Sequence, residues 1–419
     1  MIRGLVEDCA RGAAFVWLLR DAATRAPHYR LADLAATDER LESYLDALRV
    51  ARRPGWTLAA QAMVELMAGP GEVFVAATLA FGGGDEGRAE AVITAALAAE
   101  DRPRAAAAAL AWIPWAKASP WSERYLASAD PTVARIGLAA AAAHRRDPGP
   151  VLAAALGRGD LALRRRALRA AGELGRVDLL GEVREALADE DPDCRFEAAW
   201  SACLLGADGA GAEATLRALV KDGHPAAERA CAMTARRLGA KSLGDARAYL
   251  LGLANRRVAV KGAGALGDPA LLPWLLDVME NPSLRRVAGE AFVMISGAPA
   301  EGDLVSPRPA GARSGPSEDA ADDDVTPDPD EALPWLRPEA ARAWLDRRAG
   351  AFAPEKRYLL GQPIAAPWLG EALLRGTQRQ RAAAALELSL ANAAAPLFEV
   401  RAPALRQIAA LAKATRSAA

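Results

Sequence analysis

Histidine is almost missing from this chain: three residues in 419, at positions 28, 144 and 224. They form no His-Glu pair, and no Cys/His cluster has ligand spacing. Neither a zinc site nor a paired His-Glu iron site is expected, and no cofactor or metal is assigned. Cysteine is also sparse. Cys9, Cys194, Cys203 and Cys231 show no CxxC and no framework spacing, which predicts free thiols in a reducing compartment. There is no nucleophile elbow and no phosphate loop. Gly82-Gly83-Gly84 lacks the Lys-Ser/Thr that grips phosphate, so it reads as a turn. No catalytic residue can therefore be named, and the chain is not expected to be an enzyme. No apolar run approaches the roughly 18 residues that a membrane span needs. The stretch from Ala13 to Leu19 is too short, and too closely followed by Arg20 and Asp21, to be a signal peptide. A cytoplasmic protein is the expectation. The net charge of −1 leaves no global field to draw in nucleic acid or an anionic membrane.

Aromatic residues make up 5% of the chain, and long alternating Val/Ile/Thr runs are absent, which argues against a sheet. What is abundant is alanine, the best helix former, which also lets helices approach closely. A beat of about 30 residues runs through the middle. Its entry phrases begin at Asp130, Asp160, Asp191, His224, Asn255 and Asn281, spaced 30, 31, 33, 31 and 26 residues apart. An Asp or Asn, often followed by Pro, suits the first turn of a helix. Three residues past each entry lies an expected core position: Val133, Leu163, Cys194, Ala227, Val258 and Leu284. Four residues beyond come Gly137, Ala167, Ala198, Cys231, Gly262 and Ala288. Seven beyond come Ala140, Ala170, Ser201, Thr234, Ala265 and Ala291. That spacing puts all three on one helix face, and small residues there let neighbouring helices nest. Gly175, Gly206, Gly239 and Gly297 follow their entries by 15 or 16 residues, where a helix end is expected. Shorter amphipathic helices over 179–188, 212–220 and 270–279 complete the pairs.

The expected organisation has four parts. Residues 1–68 form an N-terminal helical cap, with one helix over 13–25 placing Phe15, Leu18, Leu19 and Ala22 on one stripe, and a second over 31–52. Residues 69–297 form the repeat array. Residues 298–333, rich in Pro, Gly, Ser, Asp and Glu, read as an acidic linker or draped loop, mobile over 299–324 for want of apolar anchors. Residues 334–419 resume helices at 338–348, 368–374, 378–390 and 404–414, the last three as a further repeat and a cap over the final apolar face. The pattern of helix, turn, helix, with Asp-Pro before the second helix and Arg shortly after it, resembles the HEAT repeat. It implies an all-α fold: an α-solenoid of HEAT-like helix pairs with an N-terminal helical cap and a C-terminal helical unit.

Solenoids build long binding surfaces, so the candidate sites are surfaces. The Arg recurring near each second-helix start, at Arg135, Arg164, Arg195, Arg229 and Arg285, is read as a structural ladder pairing with the Asp of an adjacent turn. Arg165, Arg169, Arg236, Arg237 and Arg256 are candidates for a basic partner-binding groove, with Arg165, Arg169 and Arg236 facing solvent. Trp335 is a candidate interface anchor, since exposed Trp commonly fills that role. The acidic stretch 318–331 matches no calcium loop and is broken by two prolines. It reads as a solvated loop, or as a stretch paired with basic repeat surfaces or with a basic partner.

Further segments carry a closer resemblance. They are Phe15-Val16-Trp17-Leu18-Leu19-Arg20-Asp21, Ala26-Pro27-His28-Tyr29, Asp38-Glu39-Arg40-Leu41, Gly71-Glu72-Val73-Phe74, Gly267-Asp268-Pro269 through Trp274, and Gly289-Glu290-Ala291-Phe292. The stretch from Asp330 to Trp335, Arg357-Tyr358-Leu359-Leu360-Gly361-Gln362-Pro363 and Arg401-Ala402-Pro403-Ala404 complete them. From end to end the chain resembles a bacterial family of HEAT-repeat proteins of unknown biochemical activity, often encoded near type VI secretion effector clusters. The resemblance implies a protein-binding scaffold: an accessory, chaperone or adaptor for a type VI effector, with that effector or its spike-associated proteins as partner. An immunity protein neutralising a toxin is the alternative, and a nucleic-acid-binding HEAT-like protein a second one, weakened by the neutral charge and the lack of a basic stripe with interleaved aromatics.

Overall fold

The computed structural model describes residues 3–65, 68–206, 210–309, 328 and 330–418. It is all-α, built of stacked helix pairs of the solenoid type. The chain forms two compact units. The first comprises residues 1–207, 374–378 and 389–419, and the second 208–373 and 379–388. The unit boundary therefore falls inside the 69–297 array.

In the first unit the helices are α1 (Arg3–Ala23), α2 (Leu31–Val50), α3 (Arg53–Val64), α4 (Pro70–Gly83), α5 (Glu86–Ala96), α6 (Arg102–Trp112), α7 (Trp115–Leu126), α8 (Pro131–Ala143), α9 (Pro150–Leu156), α10 (Leu161–Leu174), α11 (Leu180–Glu185) and α12 (Pro192–Leu204). In the second they are α13 (Ala210–Lys221), α14 (Ala227–Gly239), α15 (Leu243–Leu251), α16 (Arg256–Leu266), α17 (Leu272–Val278), α18 (Arg285–Ser296) and α19 (Pro338–Asp346). The C-terminal helices are α20 (Ala366–Arg375), α21 (Gln378–Ala391) and α22 (Ala404–Ala418).

The entry phrases cap their helices locally. Asp130, Asp160, Asp191 and Asn255 each accept a backbone N–H from the first turn, at 2.7–3.2 Å to Val133, Leu163, Cys194 and Val258. Such caps contribute about 1 kcal/mol each. The other two entries depart from this scheme. The N–H groups of Ala226 and Ser283 are held by His224 and Asn281, and the helices begin later, at Ala227 and Arg285. Leu284 is thus the residue before its helix and only half-buried, and Val287 and Ala288 take the core position. The small positions are buried, except Ala265, which is half-buried. A side chain at Gly137 would lie 2.7 Å from the Ser122 carbonyl, so only glycine lets α7 and α8 approach this closely. Gly175, Gly206 and Gly297 have φ of 66°, 75° and 68°. Gly239 instead stays helical, with Ala240 closing α14, and makes room for Leu266.

Helix α1 starts at Arg3, earlier than expected, and it buries a different face. Val6, Ala10, Ala13, Val16 and Trp17 point inward, Trp17 stacking on Phe74 with 4.7 Å between ring centroids. Phe15, Leu18 and Leu19 are 62%, 41% and 38% exposed, and Ala22 is exposed too. Backbone proximity decides the matter. At Gly71 a side chain would meet the Ala14 carbonyl at 2.8 Å, so α4 lies against the small-residue face of α1.

The linker is held at its described ends. Ala298, Leu304 and Leu333 are buried, and Val305–Ser306 pairs antiparallel with Trp335–Leu336. Residues 310–327 and 329, with most of the acidic run and of the segment expected to be mobile, lie outside the described residues. A second two-stranded pair, Tyr358–Leu359 with Gln362–Pro363, turns through Leu360 and Gly361 at positive φ. Helix α22 belongs to the first unit, where it packs on α2, with Leu411 beside Leu31, Leu34 and Ala404. No helix among the described residues is long and apolar enough to cross a membrane.

Candidate functional site

The second helices of the pairs carry charge in phase with the repeat, and the phase produces a ladder. Arg165 of α10 pairs with Asp193 of α12, and Arg169 with Glu197 at 3.2 Å. In the second unit Arg257 pairs with Glu228 at 2.6 Å, and Lys261 with Glu290 at 2.7 Å. Partners lie 28 or 29 residues apart, one repeat. The Arg set expected to form the ladder behaves differently. Arg164 reaches an Asp of the adjacent turn, Asp189, at 2.7 Å. Arg195 donates to the carbonyls of Asp189 and Glu190, and Arg285 to that of Met279, so both cap the end of the preceding helix. Arg135 is half-buried, and Arg229 lines a cavity of about 320 Å³ with Lys261, Glu290 and Arg379.

Of the three groove candidates assigned to solvent, Arg165 is half-exposed, whereas Arg169 and Arg236 are engaged within the chain, which corrects their assignment. Arg169 lies between Glu173, at 2.8 Å, and Glu197, and covers the Trp200 ring at 4.6 Å. Arg236 is only 6% exposed and pairs with Glu387 of α21 at 3.0 Å. Arg357 holds the same carboxylate from another side. Burial holds the Arg236 guanidinium below its ordinary range, with Glu387 opposing that shift and Arg357 adding to it. Arg237 is half-buried and Arg256 exposed. Trp335 is buried under the Arg286 guanidinium, 4.8 Å from the ring centroid. Arg286 in turn binds Asp328, and Arg257 binds Asp330. The two described aspartates of the acidic stretch thus pair with repeat arginines, the arrangement expected as the alternative to a solvated loop.

In each unit a returning segment of the chain occupies the charged face. In the first unit Arg145 donates to the Leu397 carbonyl and pairs with Glu399 at 3.2 Å, and the Leu397 N–H donates to the Glu173 carbonyl at 2.9 Å. Glu173 itself is buried beneath Arg166 and Arg169, at 2.9 and 2.8 Å. Burial alone would raise its carboxyl pKa, but Arg166, Arg169 and Arg145 outweigh it and hold the group far below the usual range. Glu399 is likewise held down to about 2, burial being outweighed by Arg401 and Arg145. Nearby, Arg20 pairs with Asp38 at 2.9 Å and donates to the carbonyls of Arg401 and Ala402, while the Ala404 N–H donates to Asp38. Sequence reasoning missed this tie between α1, α2 and residues 401–404.

His144 adds a pH dependence. Its Nε2–H faces the Leu110 carbonyl at 2.9 Å, and Nδ1 faces an Arg406 N–H, so the neutral ring fits both contacts. Burial, Arg406 and Arg146 push its pKa down to about 4. A depressed folded-state pKa means stability that is present above the unfolded value, about 6.5, and lost as pH falls towards 4. Protonation is expected to loosen residues 389–419 across that window, before Glu399 and Glu173 begin to titrate. Limited proteolysis at pH 7 and pH 4.5, on the parent and on His144→Gln, checks this. The parent should lose its C-terminal segment faster at the lower pH, and the glutamine variant should show a smaller change.

Three of the thiols are buried, and burial pushes Cys194 and Cys231 up to about 12, leaving them protonated and unreactive. Comparison with protein-family models and with curated proteins gives no match.

Proposed function

We propose that the protein is a protein-binding scaffold, an accessory, chaperone or adaptor for an effector of a type VI secretion system. The observation that carries the binding role is the outer face of α1. Phe15, Leu18, Leu19 and Ala22 form an apolar stripe on solvent, continued at its N-terminal side by the exposed pair Asp8 and Arg11. A contiguous apolar patch with a polar rim is the signature of a contact surface, and a large aromatic at its centre is a typical anchor. Helix stacks present such faces on a rigid support. The effector-handling role rests on the end-to-end resemblance described above.

Phe15→Glu with Leu19→Glu is the test. Both side chains lie outside the core, so the melting temperature should stay within about 2 °C of the parent. Pull-down of the full chain against the products of neighbouring genes should recover an effector or spike-associated protein with the parent and lose it with the double variant. Equal recovery by both would remove the α1 face from the binding surface.

A further inference from the structure

The turn between α2 and α3 is two residues long, Ala51 and Arg52. It is tight, because α3 starts against the end of α2: a side chain at Gly55 would meet the Leu48 carbonyl at 2.1 Å. Arg52 makes the turn at φ 54° and ψ −120°, a conformation that glycine adopts freely and other residues rarely do. The chain bears this strain with a long charged side chain. Among the described residues the Arg52 guanidinium makes no hydrogen bond or ion pair, and it is exposed.

Arg52 lines a cavity of about 590 Å³ within the first unit. Lys117 of α7 lines the same cavity; it reaches the Gly82 carbonyl at 3.1 Å and, among the described residues, has no carboxylate partner. Gly82 and Gly83, the bare end of α4, line it too. A side chain built on Gly83 would touch nothing within 4 Å, and one on Gly82 only Ile113, at 3.8 Å, so this part of the lining is open backbone. Trp56, half-buried, forms one wall and is covered by Arg88 at 5.0 Å. A second cavity, about 420 Å³, shares Gly82, Gly83 and Lys117 and continues past Pro120 and Trp121 to Arg124.

The charges decide what fits. Arg49 already binds Glu42 and Asp46, at 2.7 and 2.6 Å, and Arg88 binds Asp85 at 3.0 Å. With these arginines spent on carboxylates, the groove has no dense cationic cluster of the kind a run of phosphates needs. Among the described residues, what is left without a carboxylate is two cations, Arg52 and Lys117, in a lining that also holds the Trp56 ring and the open backbone of Gly82 and Gly83. We infer that this groove holds an acidic, extended peptide segment of a partner protein, with carboxylates meeting Arg52 and Lys117, an apolar side chain against Trp56 and the peptide backbone over Gly82 and Gly83. The inference rests on the scaffold reading and names a second contact besides the α1 face. Charge pairing at such a site sets partner choice as much as affinity.

The test uses the full chain and a labelled oligopeptide of alternating glutamate and leucine, read by fluorescence anisotropy. Inorganic phosphate, a single-stranded oligothymidylate and the lysine-leucine counterpart serve as competing probes. Binding of the acidic peptide is expected, and it should weaken by about tenfold in Arg52→Gly and again in Lys117→Glu. Arg52→Gly relieves the positive-φ strain, so its melting temperature should rise by about 1–3 °C while binding falls. That opposite movement of stability and affinity is not expected of a residue with only a structural role. Absence of peptide binding, equal affinity in the variants, or preference for phosphate, oligothymidylate or the basic peptide would overturn the inference. Partner capture that survives both groove variants but fails with the α1 double variant would overturn the groove and leave the scaffold reading standing. If no partner is captured at all, the scaffold reading falls, and the anisotropy still decides whether the groove takes acidic peptides.

Discussion

Leu163→Asp is expected to destabilise the first unit by more than about 4 kcal/mol, and Val258→Asp to do the same in the second. Both residues are inside, 1% and 5% exposed, in the first turn of a second helix, where Asp160 and Asn255 hold the N–H of the very residue substituted. A carboxylate there has no cation within the apolar face and must either carry a proton or draw water into the stack. The neighbouring helices cannot move aside, because the small residues one and two turns on, Ala167 and Ala170 in α10 and Gly262 in α16, leave no slack. Chemical denaturation followed by far-ultraviolet circular dichroism measures the loss. Wild-type midpoints in both variants would show that the inner face has been misassigned. Because the two substitutions lie in different compact units, each also reports whether the units unfold together. One transition in both variants indicates a single cooperative structure, and two transitions in either indicate independent units.

Those two positions were legible in the sequence because everything that fixes them is local. A capping Asp or Asn, an apolar residue three later and small residues one and two turns further on are all decided within a single helix. The scheme slipped where a cap did not sit directly before its helix, at His224 and Asn281, whose bonds to Ala226 and Ser283 close a turn first. At α1 the apolar stripe of Phe15, Leu18, Leu19 and Ala22 does not mark the buried face. Burial followed the face that the backbone of α4 could approach, rich in alanine, and left Phe15 outside. Side-chain size is written in a sequence; which face a neighbouring helix can reach is not.

The charged face shows a similar division. The ladder of Arg165 with Asp193 and Arg169 with Glu197 had a signal, since opposite charges recur one repeat apart at neighbouring phases, but the Arg nearest each helix start drew the attention instead. The occupation of that face by the chain's own C-terminal part had no such signal. Arg145 and Leu397 are 252 residues apart, and Arg236 and Glu387 are 151 apart. Neither pairing follows from spacing. Nor does the sequence mark Arg52 as unusual: its positive φ belongs to the tight turn that sets α3 against the Leu48 carbonyl.

Glu173→Ala is expected to be as damaging as the core substitutions, although it removes a surface-type residue from a helix. The carboxylate is buried, with Arg166 and Arg169 within 3 Å and Arg145 at 3.9 Å. Deleting one member of a buried ionic cluster costs about 3–5 kcal/mol, because the remaining charges stay desolvated without a partner. Here the cost falls on a defined segment. The Glu173 backbone carbonyl still receives the Leu397 N–H, but Arg145 and Arg169 are left to crowd the same face that Glu399 and Arg401 occupy. Residues 389–419 should therefore become the first site of proteolysis, ahead of the repeats. The comparison is Asp193→Ala, which removes the half-exposed partner of Arg165 and should cost less than about 1 kcal/mol. Equal, small losses in the two variants would mean that the Glu173 cluster is open to water and does not hold the C-terminal segment. A large loss in Glu173→Ala that Glu173→Gln does not share would assign the effect to hydrogen bonding and shape, and a loss in both would assign it to charge.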